Sequence, residues 1–74
     1  SLDETVQRNQ DFAQLNLLLS HLPARERELV ALKYGAGLNN REIARLTRLS
    51  ESNVGTILNR VIEKLRIEMG LSRT

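Results

Sequence analysis

Two helices joined by a tight turn are predicted for residues 39–58, NNREIARLTRLSESNVGTIL. Asn39 or Asn40 can cap the first helix, because an asparagine side chain accepts hydrogen bonds from the free backbone N–H groups of a helix start. This helix is expected over residues 41–47. Ser50 can cap the second helix in the same way, so the segment predicts a helix, a short turn and another helix.

The small and apolar residues of this segment are spaced as a helix-turn-helix motif requires. Such a motif needs a small residue in its first helix, where the second helix crosses closely, and Ala44 meets that need. Leu49 supplies an apolar residue in the turn at residues 47–50, and Val54 and Ile57 supply inward contacts from the second helix. These matches together favour a helix-turn-helix.

Apolar residues at steps of three and four predict two helices before the motif. The first is expected over residues 11–22, and the sequence leaves open whether it reaches back to Asp3. The second is expected to begin at Pro23, which is tolerated in a first helical turn, and to end at Gly35 or Gly37.

The last helix is expected to be long, because its apolar pattern continues from Val54 to Gly70, a residue suited to a helix end. The sequence therefore predicts an all-α, four-helix bundle-like domain with a long C-terminal recognition helix over residues 11–70. Residues 1–10 are expected to be an N-terminal extension or linker, and residues 71–74 a tail. The residues predicted to face the core are Phe12, Leu15, Leu18, Leu19, Leu22, Leu38, Ile43, Ala44, Leu46, Val54, Ile57, Leu58, Val61, Ile62, Leu65 and Met69.

The composition argues against several classes of protein. The 74 residues contain no cysteine and one histidine, His21, so neither a disulfide framework nor a thiolate metal site is available. No apolar run approaches the roughly 20 residues that span a bilayer, and the acidic start is unlike a signal peptide. We therefore expect a cytoplasmic protein that is not an enzyme and has no cofactor, metal, membrane partner or small-molecule substrate.

Positive charge is concentrated towards the C-terminal end of the chain. The net charge is only +2, but residues 41–74 carry seven Lys or Arg against four Glu, whereas residues 1–22 carry one Arg against three acidic residues. Such an uneven distribution fits a polyanionic partner such as nucleic acid.

The polar side of the last helix is the predicted DNA-contacting surface, because Arg, Asn, Ser and Thr can pair with base edges in the major groove. The residues predicted to contact bases are Ser52, Asn53, Thr56, Asn59 and Arg60. The residues predicted to contact phosphates are Asn40, Arg41, Arg45, Arg48, Gly55, Lys64 and Arg66. Gly55 costs a helix about 1 kcal/mol relative to Ala, and either a close approach to a phosphate or a chance weak spot would account for it.

The chain resembles region four of bacterial RNA polymerase sigma factors, most closely the extracytoplasmic-function-like group. The resemblance covers about residues 12–67. It is carried by Leu22-Pro23, Arg27-Glu28-Leu29-Val30, Leu32-Lys33-Tyr34, Gly37-Leu38, Glu42-Ile43-Ala44, Leu49-Ser50, Val54, Leu58, Arg60 and Lys64-Leu65-Arg66.

This resemblance implies a domain that binds the upstream, minus thirty-five promoter element as double-stranded DNA through its last helix. It also implies contact with the flap of the RNA polymerase beta subunit and capture by an anti-sigma factor. Sigma factors of this kind carry a separate region-two domain, which the 74 residues do not include, so we expect the chain to be a carboxy-terminal module.

Two departures from the sigma pattern affect the expected interface. Arg48 stands where a turn glycine is common, so we expect a left-handed or distorted backbone there, at a cost on the order of 1 kcal/mol. Gly55 and Ile57 stand where many relatives have basic residues, so the isolated domain is expected to bind DNA weakly.

Two alternatives remain open on the sequence alone. The C-terminal domains of LuxR-type response regulators share an Asn-x-Glu-Ile-Ala helix, here residues 40–44, but they usually bind palindromic sites as dimers. The other alternative is a protein-interaction module that binds polymerase or an anti-sigma factor and whose DNA contacts have decayed.

Overall fold

The computed structural model describes residues 2–70 and folds them into four α-helices. Helix α1 spans Leu2–Ser20, α2 spans Ala24–Val30, α3 spans Asn40–Thr47 and α4 spans Glu51–Glu68. A π-helical segment, Ala31–Gly35, continues directly from α2. Residues 2–70 contain no strand, so the prediction of an all-α domain with a helix-turn-helix and a long last helix is confirmed.

Helix α1 reaches beyond the rest of the domain at its N-terminal end. Every residue from 2 to 14 is exposed, and the helix packs on the core only through its last turns. The prediction that Phe12 faces the core is therefore wrong. Its side chain is 64% exposed, because no other helix covers α1 at that level. Leu22 is buried as predicted, although it follows the end of α1 instead of lying within it.

The connection from α2 to α3 is shaped by a wide helical turn and a glycine. The backbone N–H of Ala36 donates to the carbonyl of Ala31 at 2.9 Å, which closes the π-helical segment. Gly37 then adopts a φ of +74°, a left-handed conformation that glycine tolerates without steric cost. Leu38, which the sequence predicts to face the core, follows the glycine and is half-buried against the core.

Two clusters of buried aliphatic side chains hold the helices together. Full burial of one such side chain stabilises the fold by about 1.5–3 kcal/mol. Half-buried Ile57 of α4 packs against both clusters. One cluster joins α2, α3 and α4 and contains Leu29, Ile43, Val54 and Leu58. The other joins the turn after α1 to α4 and contains Leu22, Val61 and Leu65, flanked by Leu15, Leu18 and Leu19.

Helix α3 buries a threonine where a leucine was expected. Leu46 is 65% exposed, so its predicted inward position is wrong, whereas Thr47 is buried. A rotation of about 100° per residue explains the difference, because Thr47 lies between Ile43 and half-buried Ala44 around the helix, whereas Leu46 lies on the other side of Ile43. The hydroxyl of Thr47 donates to the carbonyl of Ile43 at 2.7 Å, which satisfies the buried polar group.

The predicted domain boundaries are not marked by breaks in helical structure. Helix α1 runs without interruption from Leu2 through the predicted junction between residues 1–10 and 11–70. The division therefore stays a prediction, and the predicted tail at residues 71–74 lies outside the described residues.

Candidate nucleic-acid interface

The turn between α3 and α4 sets the direction in which α4 leaves the domain. Arg48 ends α3 in the left-handed region, with φ 63° and ψ 25°, as expected from the sequence. Half-buried Leu49 packs on the first core cluster. Ser50 then caps α4, because its side chain accepts a hydrogen bond from the backbone N–H of Asn53 at 3.0 Å. The turn is thus fixed by one strained residue, one apolar anchor and one cap.

The start of α3 is capped by Asn39, so the alternative cap, Asn40, is free for another role. The side chain of Asn39 accepts a hydrogen bond from the backbone N–H of Glu42 at 2.8 Å. In return, the side chain of Glu42 accepts a hydrogen bond from the backbone N–H of Asn39 at 2.9 Å. Half-buried Asn40 accepts a hydrogen bond from the ammonium of Lys33 at 3.0 Å through its Oδ1 atom. This contact leaves its amide nitrogen pointing towards α4 at Gly55.

Helix α4 separates its polar residues from its buried ones. One side is buried in the core through Val54, Leu58, Val61 and Leu65. The five residues predicted to contact bases are all exposed on the rest of the helix, and we call them the recognition surface: Ser52, Asn53, Thr56, Asn59 and Arg60. The hydroxyl of Thr56 donates to the carbonyl of Ser52 at 3.1 Å, so its donor capacity is in use and its lone pairs are available.

The residues predicted to contact phosphates fall into two separate groups. Those of the first group lie on α3, in the turn and in the first turns of α4, beside the recognition surface: Asn40, Arg41, Arg45, Arg48 and Gly55. Lys64 and Arg66 lie near the end of α4, about 15 Å or more from its first turn at 1.5 Å per residue. The structure therefore brings only the first group together with the start of the recognition helix.

A family model for sigma-70, region 4, matches residues 12–65 of the chain. The chain belongs to the sigma-70 region 4 family. No curated protein and no solved structure is significantly similar to it. Region 4 is a DNA-binding, non-enzymatic part of sigma factors, which act with RNA polymerase. Membership therefore supports DNA binding of the sigma-factor type and favours this family over the LuxR-type alternative.

Two ion pairs in this region 4 domain could not be predicted from helical spacing. The Nε atom of Arg41 lies 3.5 Å from Oε1 of Glu51, which joins the starts of α3 and α4. The Nζ atom of Lys64 lies 3.9 Å from Oε1 of Glu26 in α2. That oxygen is buried and has no hydrogen-bond partner, so the nearby ammonium offsets part of its charge.

The departures of the region 4 domain at positions 55 and 57 have different structural settings. Ile57 packs against both core clusters, so a basic residue there would have to leave the core. Gly55 is only half-buried, and a Cβ atom on it would lie 3.6 Å from Nδ2 of Asn40, an ordinary contact distance. Packing within the domain therefore does not require a glycine at this position.

An apolar groove of about 330 Å³ lies on the side of the region 4 domain formed by α1, by the end of α2 with the π-helical segment, and by α4. The sequence does not reveal this groove, because its walls come from helical segments that are distant along the chain. Tyr34 on its edge is 62% exposed. A neighbouring hollow bounded by Arg66 and Met69 shares three of its side chains. The residues that line the groove are Leu15, Leu19, Val30, Tyr34, Ile62 and Leu65.

Within residues 2–70 no group of three or more His, Cys, Asp or Glu side chains is arranged to hold a metal ion. Over the same residues no helix combines the length and apolar character that crossing a bilayer requires.

Proposed function

We propose that this region 4 domain binds the upstream, minus thirty-five element of promoters as part of a sigma factor and thereby supports transcription initiation. The observation that carries the proposal is the arrangement of α4. Its buried side is fixed against α2 and α3, and its recognition surface is exposed beside the basic turn. A helix held in this way can enter a major groove with its first turns against base edges.

Base contacts are assigned to the recognition surface by donor and acceptor chemistry. Arg60 can donate two hydrogen bonds to a guanine, and Asn53 or Asn59 can pair with an adenine. Thr56 can accept a hydrogen bond from an exocyclic amine of a base, because its own hydroxyl proton is bonded to the carbonyl of Ser52. Each good bidentate pair discriminates against a wrong base by about 1–3 kcal/mol.

Phosphate contacts are assigned to the first group of residues beside α4. Arg45 and Arg48 are exposed and can pair with phosphates that flank the groove, and Asn40 and Gly55 stand where the two helices meet. Each phosphate neutralised lowers the logarithm of the binding constant by about 0.9 per logarithmic unit of salt. With few such contacts, binding by the isolated domain is weak and is best measured at low salt.

The polymerase partner is assigned to the apolar groove. The groove has exposed Tyr34 on its edge and Leu15 and Ile62 in its walls, so it suits an apolar segment of a partner, and we assign it to the beta flap. Because the groove does not include the recognition surface, the domain can contact the polymerase and DNA together. An anti-sigma factor that covered the recognition surface would exclude promoter DNA, and one that covered the groove would exclude the polymerase. All these partners place the domain in the cytoplasm, where bacterial DNA and polymerase occur.

Selection of bound sequences from randomised duplexes at low salt tests the proposal. The domain is incubated with the pool, bound DNA is recovered and sequenced, and binding of the enriched duplex is confirmed by fluorescence anisotropy. Enrichment of a single non-palindromic element supports promoter recognition. Enrichment of a palindrome contradicts it in favour of a LuxR-type dimer.

A second candidate function, protein interaction without DNA binding, is favoured by the apolar groove. It predicts no enrichment from the pool together with tight binding of a beta-flap fragment. Substitution Tyr34→Glu serves both hypotheses, because it should weaken binding of the flap fragment at the groove while leaving DNA binding unchanged.

A further inference from the structure

Glu51 is the first residue of the recognition helix, and its carboxylate is held by an arginine of the preceding helix. Its Oε1 atom lies 3.5 Å from Nε of Arg41, and the two side chains are 57% and 73% exposed respectively. The pair therefore lies on the surface that the proposed function brings against DNA. The recognition residues Ser52 and Asn53 follow Glu51 directly.

An acidic residue at the start of α4 is favourable for the helix, because a negative charge interacts well with the positive end of the helix dipole. The same charge is unfavourable for binding DNA, because phosphates repel a carboxylate. Arg41 offsets this repulsion, since its guanidinium lies beside the carboxylate. The helix dipole thus explains an acidic residue here, but it does not explain why a basic residue of α3 holds it.

The geometry of the pair leaves both partners with unused hydrogen-bonding capacity. Arg41 approaches Glu51 through Nε, so its two terminal nitrogens remain available for a phosphate. Arg41 lies nearest to Oε1 of Glu51, so Oε2 of Glu51 is available to accept a hydrogen bond. An ionised carboxylate only accepts hydrogen bonds, and its usual partner in the major groove is the N4 amine of cytosine.

We propose that Glu51 selects a cytosine at one position of the bound element and that Arg41 is the positioning residue that holds its carboxylate. This inference rests on the proposed function, because it requires the first turn of α4 to enter the major groove. Residues at the N-terminal end of a recognition helix are those that contact base edges in helix-turn-helix proteins. The chemistry of Glu51 then specifies which base is preferred.

The test repeats the selection from randomised duplexes with Glu51→Gln and Glu51→Ala. A glutamine can pair with adenine through N6 and N7, so Glu51→Gln is expected to change the preference from cytosine to adenine at one position. Glu51→Ala is expected to lose the preference there. Discrimination of cytosine at this position should fall by about 5- to 150-fold, with the other positions unchanged.

Glu28→Gln is the matched control. It removes the same charge and breaks another exposed Arg–Glu pair, since Glu28 accepts from Arg25 at 3.0 Å on α2. It should leave the base profile unchanged at every position. Arg41→Ala tests whether Arg41 positions the carboxylate of Glu51. It should weaken the cytosine preference at the same position as Glu51→Ala, which loss of a phosphate contact alone would not do.

Three outcomes overturn the inference. If the wild-type domain enriches an element and both Glu51 variants keep its base profile, Glu51 does not select a base, and the proposed function stands. If both variants bind all duplexes more tightly by the same factor, Glu51 only repels phosphates. If the wild-type domain enriches nothing, the proposed function and the inference fail together.

Discussion

The side-chain amide nitrogen of Asn40 lies 3.6 Å from the point where a Cβ atom on Gly55 would stand. The starts of α3 and α4 meet at this point, and there is room for a methyl group between them. A glycine is thus present in the recognition helix where the fold itself accepts an alanine. Folding of the domain therefore does not require a glycine at position 55, and any requirement for one comes from binding.

Gly55→Ala is expected to raise the free energy of unfolding by up to about 1 kcal/mol, because alanine loses less backbone entropy in a helix. Denaturant unfolding followed by circular dichroism measures this change. If the backbone at Gly55 approaches a phosphate, the same variant will bind the enriched duplex less tightly despite its greater stability. A lower unfolding free energy would show that the contact with Asn40 is tighter than the structure indicates.

Arg48→Gly is expected to stabilise the domain by about 0.5–1 kcal/mol, because a left-handed conformation is costly for arginine and not for glycine. The φ of 63° at this residue carries the prediction. Arg45→Gly is the control, since it removes the same side chain from the interior of α3 and should destabilise the domain by about 1 kcal/mol. Equal destabilisation by both variants would contradict the strained turn.

Val54→Asp is expected to unfold the domain at room temperature. Val54 is fully buried, and an unpaired buried charge costs at least about 3 kcal/mol. The whole stability of a domain of this length is about 4–11 kcal/mol. Leu46→Asp is the control, because Leu46 is exposed and its replacement should leave the melting temperature nearly unchanged. A melting temperature equal to that of the wild-type domain would refute the place of Val54 in the core.

Arg60→Ala and Lys64→Ala are expected to impair DNA binding in different ways. Arg60 lies on the recognition surface, so its loss should lower affinity for the enriched duplex and relax the preference at one base pair. Lys64 lies farther along α4, so its loss should weaken all duplexes about equally and reduce the salt slope by about 0.9. Binding isotherms at several salt concentrations separate these effects, and equal losses of preference would contradict the division of roles.

Lys64→Ala is also expected to lower stability, which distinguishes it from Arg60→Ala. Its Nζ atom is the cation near the buried Oε1 of Glu26, which has no hydrogen-bond partner. In Lys64→Ala, the buried carboxylate of Glu26 loses the ammonium beside it. The double variant Glu26→Gln with Lys64→Ala also removes the negative charge of that carboxylate. The unfolding free energy of the double variant should exceed that of Lys64→Ala. A lower unfolding free energy in the double variant than in Lys64→Ala would show that the two side chains do not interact.

Much of the fold could be predicted from the sequence because its signals are local. The sequence predicts Ser50 as a cap from its place in a short turn, and the family resemblance predicts a left-handed or distorted backbone at Arg48, which stands where a turn glycine is common. Val54 and Ile43 were placed in the core from periodicity, which is reliable where a helix is covered along one side.

The errors arose where a contact depends on distant parts of the chain. Phe12 fits the apolar pattern of α1, but the helix extends past its neighbours at that level. Leu46 was placed inward because α3 is only two turns long, and so short a pattern does not fix its rotation. The pairs formed by Arg41 with Glu51 and by Lys64 with Glu26 join separate helices, so no local spacing reveals them.

The surface that contacts DNA can be located directly by following backbone amide signals of the isotope-labelled domain in NMR spectra while the enriched duplex is added at low salt. We expect the largest shifts in residues 40–41 and 48–60, with those of residues 2–14 unchanged. Shifts concentrated instead on α1 and on the groove around Leu15 and Tyr34 would contradict DNA binding through the helix-turn-helix.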